Sequence, residues 1–127
     1  MSSRLPAFLI KQIPKQQNIA RVRALLADSA VHTVCEEAKC PNIGECFSRQ
    51  TCTFLILGAT CTRNCAFCGV KKGVPPRPDP AEPDKIMAAV KKLGLKYVVI
   101  TSVTRDDLPD GGAAQFAAVI TQLRTHN

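Results

Sequence analysis

Apolar residues Ile19, Val22, Leu25 and Leu26 recur at helical spacing between Asn18 and Asp28, which predicts an amphipathic helix after a proline-punctuated arm ending near Gln17. The run Thr51-Cys52-Thr53-Phe54-Leu55-Ile56-Leu57 is β-branched and apolar throughout, the pattern of a buried strand, and Gly58 ends it. Five prolines between Val74 and Pro83 then impose an extended crossover. Pro83 opens a helix whose core positions are Ile86, Ala89, Val90 and Leu93, and Gly94 supplies its C-cap. A second strand, Lys96-Tyr97-Val98-Val99-Ile100-Thr101, follows directly. Asp110-Gly111-Gly112 then turns the chain into a last helix with Phe116, Val119, Ile120 and Leu123 on one face.

The order strand, helix, strand, helix, with strands this apolar, predicts βαβ units and a parallel sheet covered by helices. Two strands cannot close such a sheet, and a closed or three-quarter barrel needs about six to eight strands and commonly about 200 or more residues. The expectation is an α/β fold: the N-terminal part of a (β/α) partial TIM-type barrel, preceded by a Cys-rich extension and cut short at Thr125-His126-Asn127. Residues 1–50 would form the arm, first helix and a Cys-rich loop, and residues 51–127 the first two βα units. Around Pro41-Asn42-Ile43-Gly44 the turn residues favour a loop with one short helical turn over a long helix.

Charge and cysteine content narrow the function classes. The net charge of +7 is scattered over several elements, with no Trp and one Tyr, whereas a nucleic-acid surface calls for a concentrated basic stripe with interleaved aromatics. The longest early apolar run, Ala7-Phe8-Leu9-Ile10, is broken by Lys11, so neither a signal peptide nor a membrane span fits and a cytoplasmic location is expected. There the seven cysteines stay reduced, which favours metal or redox chemistry over a disulfide framework.

Six of the seven fall into two triplets. Cys61-Thr62-Arg63-Asn64-Cys65-Ala66-Phe67-Cys68 is C-x₃-C-x₂-C, placed just past the first strand's C-terminal end, where barrel active sites are built. Three thiolates in so short a span can hold three irons of a cubane and leave the fourth open to chelation. Zinc is the competing reading, although it prefers four ligands in two pairs, and the nearest fourth would have to come from the other triplet. That triplet, Cys35, Cys40 and Cys46, has C-x₄-C-x₅-C spacing.

With Phe67 before its last cysteine, the first motif resembles the radical S-adenosylmethionine signature. The second, together with Thr53-Phe54-Leu55-Ile56-Leu57-Gly58 and Tyr97-Val98-Val99-Ile100-Thr101-Ser102-Val103-Thr104-Arg105-Asp106-Asp107-Leu108, narrows the resemblance to the lipoyl synthases, over about Val34 to Arg124. The resemblance implies two [4Fe–4S] clusters, one on Cys61, Cys65 and Cys68 that binds S-adenosylmethionine, and an auxiliary one on Cys35, Cys40 and Cys46. Phe67 would lie near the adenine, and Thr101 and Ser102 near the methionyl group. The implied reaction inserts two sulfur atoms at C6 and C8 of a protein-bound octanoyl group. Its partners would be an octanoylated lipoyl-carrier protein or lipoyl domain and an electron donor such as ferredoxin or flavodoxin, with no nucleic acid or membrane. The Arg-Ser-Ser-Tyr motif that supplies the auxiliary cluster's serine ligand in that family does not occur in this sequence, so the chain alone is expected to make little lipoyl product.

The remaining candidates have plainer readings. Cys52 is read as a small hydrophobe inside the first strand, although Cys40, Cys46 and Cys52 form a rival evenly spaced triplet. His32 is a loop histidine, and Glu36, Glu37 and Glu45 are solvated or paired to Lys39 and Arg49. A small basic zinc module that binds nucleic acid is the alternative from a different class. Brown colour with iron and sulfide, against a colourless zinc protein, separates the two.

Overall fold

The computed structural model describes residues 5–10 and 16–125. After a 3₁₀ turn at Ala7–Leu9, α1 (Gln16–Asp28) presents Val22 and Leu26 to the core. The chain then makes β1 (His32–Thr33) and two short helices, α2 (Val34–Glu37) and α3 (Ile43–Ser48), before β2 (Thr53–Ile56). Beyond β2 come the two-residue strands β3 (Thr60–Cys61) and β4 (Lys71–Lys72), then α4 (Glu82–Leu93), β5 (Val99–Ser102) and α5 (Ala113–Thr125).

β2 is the middle strand of a three-stranded sheet. It pairs antiparallel with β1, Thr33 opposite Phe54, and parallel with β5, from Thr53 opposite Val99 to Ile56 opposite Ser102. The parallel pairing with α4 as crossover is the βαβ unit anticipated from the sequence. Phe54, Ile56, Ile86 and Val119 are fully buried, and Phe47 of α3 and Val22 of α1 extend the same core. Each such side chain contributes about 1.5–3 kcal/mol over its exposed state. α4 and α5 pack on each other, and α1 packs on both α3 and α4. An ion pair from Lys92 to Asp28 ties the last turn of α4 to that of α1.

Several expectations need correction. The Cys35–Cys46 stretch holds two helical turns, because the Thr33 side chain accepts the Glu36 amide hydrogen and so caps α2. Cys52 lies just before β2 and not inside it, although it is buried. β5 starts three residues after Lys96 and ends one residue after Thr101, since its partner strand begins only at Thr53. Ile120, placed on the apolar face of the last helix, is exposed. The arm was expected to run extended to Gln17; α1 already starts at Gln16, and the arm's residues 11–15 lie outside those described.

Candidate metal centre

The site grows from the end of β2. Leu57 and Gly58 leave the strand with φ of +68° and +95°, a left-handed kink that Leu adopts only under constraint. The Leu57 amide donates to Glu82 Oε1 at 3.0 Å, and its carbonyl accepts from Arg105 Nη1 at 3.0 Å. The kink delivers the chain to β3, whose pairing with β4 pinches the loop between them into a closed excursion. The Gly73 amide donates to the Cys61 carbonyl at 3.0 Å, and Lys72 Nζ donates to the Cys68 carbonyl at 2.9 Å. Cys65 is exposed, and Cys61 and Cys68 are half-buried.

The segment after β5 fixes the other side of this loop. The Thr104 amide donates to Cys61 Sγ at 3.4 Å, and Thr62 Oγ1 donates to the Thr104 carbonyl at 2.9 Å. Arg63 makes a two-pronged pair with Asp106, both contacts 3.1 Å, and Thr62 Oγ1 meets the same carboxylate at 3.0 Å. Burial pushes the Cys61 thiol up, but hydrogen bonds from the Arg63 and Thr104 amides together outweigh it and hold the thiol below its ordinary range. Hydrogen bonding to Arg63 and Thr62 holds the Asp106 carboxyl down.

Cys35 is buried at the start of α2, with the Cys40 amide donating to its carbonyl at 3.0 Å. Burial pushes its thiol up, an amide hydrogen bond from Thr53 opposes this, and the nearby thiols of Cys46 and Cys40 push it further. An open cavity of about 700 Å³ lies beside Cys35 and Cys40, lined also by Arg23, His32, Glu36 and Lys39. Among the described residues, no three His, Cys, Asp or Glu side chains converge into a metal-binding group. The six cysteines instead stand as two sets of free thiols on separate segments, one spanning α2 and α3 and the other running from β3 toward β4, a donor set chemically suited to iron–sulfur clusters.

The loops meet at Gly69, immediately after the first triplet. A Cβ there would lie 2.8 Å from the carbonyl oxygen of Ala38, between Cys35 and Cys40. Because the obstacle is backbone, Gly69→Ala is expected to cost about 1–3 kcal/mol by overpacking. A lowered urea midpoint with unchanged slope would register it; an unchanged midpoint would show that the two loops separate freely.

The other sequence candidates are dispersed. Phe67 is 93% exposed on the cysteine loop. Thr101 and Ser102 lie partly buried at the C-terminal end of β5, opposite Leu55 and Ile56. His32 contacts Glu37 at 3.3 Å, Glu45 pairs with Arg49 as anticipated, and Glu36 pairs with Arg23 and not Lys39. Burial pushes the Cys52 thiol up to about 12, with the Cys35 and Cys46 thiols adding to the effect. Replacing Cys52 with alanine is therefore expected to leave the iron content unchanged and to cost about 1 kcal/mol of packing. Iron assay and thermal melting check this, and loss of iron would make Cys52 a ligand.

Residues 55–126 match the family model described as the Radical SAM superfamily. The chain belongs to that superfamily. Membership of the radical SAM superfamily implies S-adenosylmethionine and a [4Fe–4S] cluster, and it displaces the zinc-module reading. Residues 1–40 match the model of the N-terminal domain of lipoyl synthase of this radical SAM family. Lipoyl synthase of Caldicellulosiruptor saccharolyticus is 57% identical over 127 residues, all of this chain and 45% of the relative. That of Aquifex aeolicus is 57% identical over 116 residues, 91% of this chain and 42% of the relative. Lipoyl synthase 2 of Thermosynechococcus vestitus is 54% identical over 125 residues, 98% and 43% respectively. The chain thus spans less than half the length of these relatives.

Sequence reasoning missed Arg105, Glu82 and Gln115 as parts of the site's frame. Gln115 Nε2 donates to Glu82 Oε1 at 3.1 Å and to the Asp79 carbonyl at 3.0 Å, so the carboxylate that meets Leu57 is itself held from α5. The only signal was an arginine directly followed by two aspartates at a strand exit.

Proposed function

We propose that the chain is the N-terminal portion of a lipoyl synthase, which inserts two sulfur atoms at C6 and C8 of a protein-bound octanoyl group. The observation that carries this reading is the pairing of the two triplets in one chain, with their loops in backbone contact at Gly69 and Ala38. Cys61, Cys65 and Cys68 would hold one [4Fe–4S] cluster, and Cys35, Cys40 and Cys46 an auxiliary one. When bound, the first supplies with S-adenosylmethionine a radical able to take hydrogen from unactivated carbon, and the second supplies sulfide.

The protein's own residues place these groups. Thr104 and Asp106 fix the start of the first loop, leaving Cys65 outward. Phe67 offers an exposed ring for the adenine, and Thr101 and Ser102 offer hydroxyls for the methionyl end. Residues 1–50 would form the arm and auxiliary-cluster unit, and residues 51–127 the first two βα units of a partial barrel. β5 is one of the sheet's two edge strands among the described residues and the parallel one, where further parallel strands would add. Among the described residues no helix is long and apolar enough to cross a membrane. The partners are then an octanoylated lipoyl-carrier protein or lipoyl domain, and a one-electron donor such as ferredoxin or flavodoxin; the net charge of +7 would favour a donor with an acidic docking face.

The test is anaerobic reconstitution of the full-length protein with iron, sulfide, S-adenosylmethionine, a reductant and an octanoylated lipoyl domain. Mass spectrometry should find the lipoyl group on the domain. S-adenosylmethionine cleavage without sulfur in the product would refute the substrate assignment.

A further inference from the structure

The segment after β5 alternates its grip residue by residue. Thr104 and Asp106 hold the cysteine loop, through Cys61 and Thr62 for the one and through Arg63 and Thr62 for the other. Arg105, between them, faces inward with its side chain 1% exposed. Its guanidinium reaches the Leu57 carbonyl at 3.0 Å, and its other edge is locked by Asp107 through Nε at 3.0 Å and Nη2 at 2.9 Å. On the other side of the same residue, Glu82 accepts the Leu57 amide hydrogen. Both backbone polar groups of a left-handed leucine are thus taken by charged side chains, one from each neighbouring element.

We propose that Arg105 is a positioning residue for the S-adenosylmethionine site: with Glu82 it holds the kinked exit of β2 and so sets the aim of the Cys61–Cys68 loop. The inference rests on the reading of that loop as the cluster-binding one. A kink at Leu57 is costly unless the surroundings over-determine it, and Arg105, one of the two residues that do so, is the covalent neighbour of both Thr104 and Asp106, which hold the loop. Arg105 therefore couples two fixings, strand end to loop start, that would otherwise be independent. Lysine keeps the charge but cannot span Leu57 and both oxygens of Asp107 with one planar fork.

The experiment uses the full-length protein with the first cluster reconstituted, and compares wild type, Arg105→Lys and a remote core control, Leu93→Ala. S-adenosylmethionine affinity is read from the change it induces in the electron paramagnetic resonance signal of the reduced cluster. Arg105→Lys is expected to retain iron and far-ultraviolet circular dichroism while binding S-adenosylmethionine about tenfold more weakly, and Leu93→Ala to lose stability with affinity within about twofold of wild type. In the iron-free protein, amide exchange over residues 57–62 should accelerate in Arg105→Lys while α5 keeps its protection. A folded Arg105→Lys with wild-type affinity, or a loss matched by Leu93→Ala at equal destabilisation, overturns the inference. If Arg105→Lys does not fold, Asp107→Asn, at a half-exposed position, decides: about threefold weaker binding supports the inference, and unchanged binding overturns it. Wild type that takes up no cluster or shows no response to S-adenosylmethionine would overturn the underlying reading and this inference with it.

Discussion

Replacing Cys65 with alanine is expected to remove one of two clusters, lowering iron in the reconstituted full-length protein from about eight to about four per chain, and to abolish S-adenosylmethionine cleavage. Cys65 is exposed and makes no core contact, so the substitution should leave the circular dichroism spectrum unchanged and the loss cannot be attributed to unfolding. Two remaining thiolates hold too few irons to keep the cubane. Cys40→Ala should reach the same iron content by losing the other cluster, yet still cleave S-adenosylmethionine to 5′-deoxyadenosine without forming lipoyl product. The contrast between equal iron and opposite cleavage is what distinguishes the triplets. Cleavage surviving in Cys65→Ala would remove that cysteine from the ligand set, and cleavage lost in Cys40→Ala would mean that the two sites are not separable.

The two triplets stand out in the sequence because each is local, and so do the elements that carry strong punctuation. α4 begins one residue before Pro83, and its C-cap is Gly94 in the left-handed conformation, as the proline and glycine dictated. β2 is buried, Phe54, Leu55 and Ile56 joining residues of α4 and α5 in one core, as the unbroken run from Phe54 to Leu57 announced. β1, β3 and β4 could not be read, since two residues carry no periodicity and Lys71-Lys72 has no strand character. The frame around Leu57 was equally hidden. Its contacts join residues 25 and 48 positions apart, and charged side chains at 82 and 105 resemble solvated surface until the fold brings them onto one residue.

Leu57 also makes Gly112→Ala a strongly damaging substitution. A Cβ at Gly112 would lie 2.3 Å from Leu57 Cδ1, and the residue sits at φ +100°, where an L side chain is strained regardless of space. Both backbones are held in place. The Gly112 amide is held by Asp110 Oδ1 at 3.0 Å, its carbonyl accepts the Gln115 and Phe116 amides, and Leu57 is 1% exposed with its backbone fixed on both sides. Strain of about 1–3 kcal/mol and overpacking of similar size add to roughly 2–6 kcal/mol, a large fraction of the 5–15 kcal/mol typical of a domain. Gly111→Ala is the matched control: φ is +65° there with nothing within 4 Å, so only the left-handed cost of about 1–2 kcal/mol applies. Urea unfolding of the two variants should separate them by at least about 1 kcal/mol, and Gly112→Ala, by displacing Leu57, should also weaken S-adenosylmethionine binding in whatever fraction remains folded. Equal midpoints would mean that the Leu57 side chain rotates aside at little cost, and that the exit of β2 is less tightly determined than its hydrogen bonds imply.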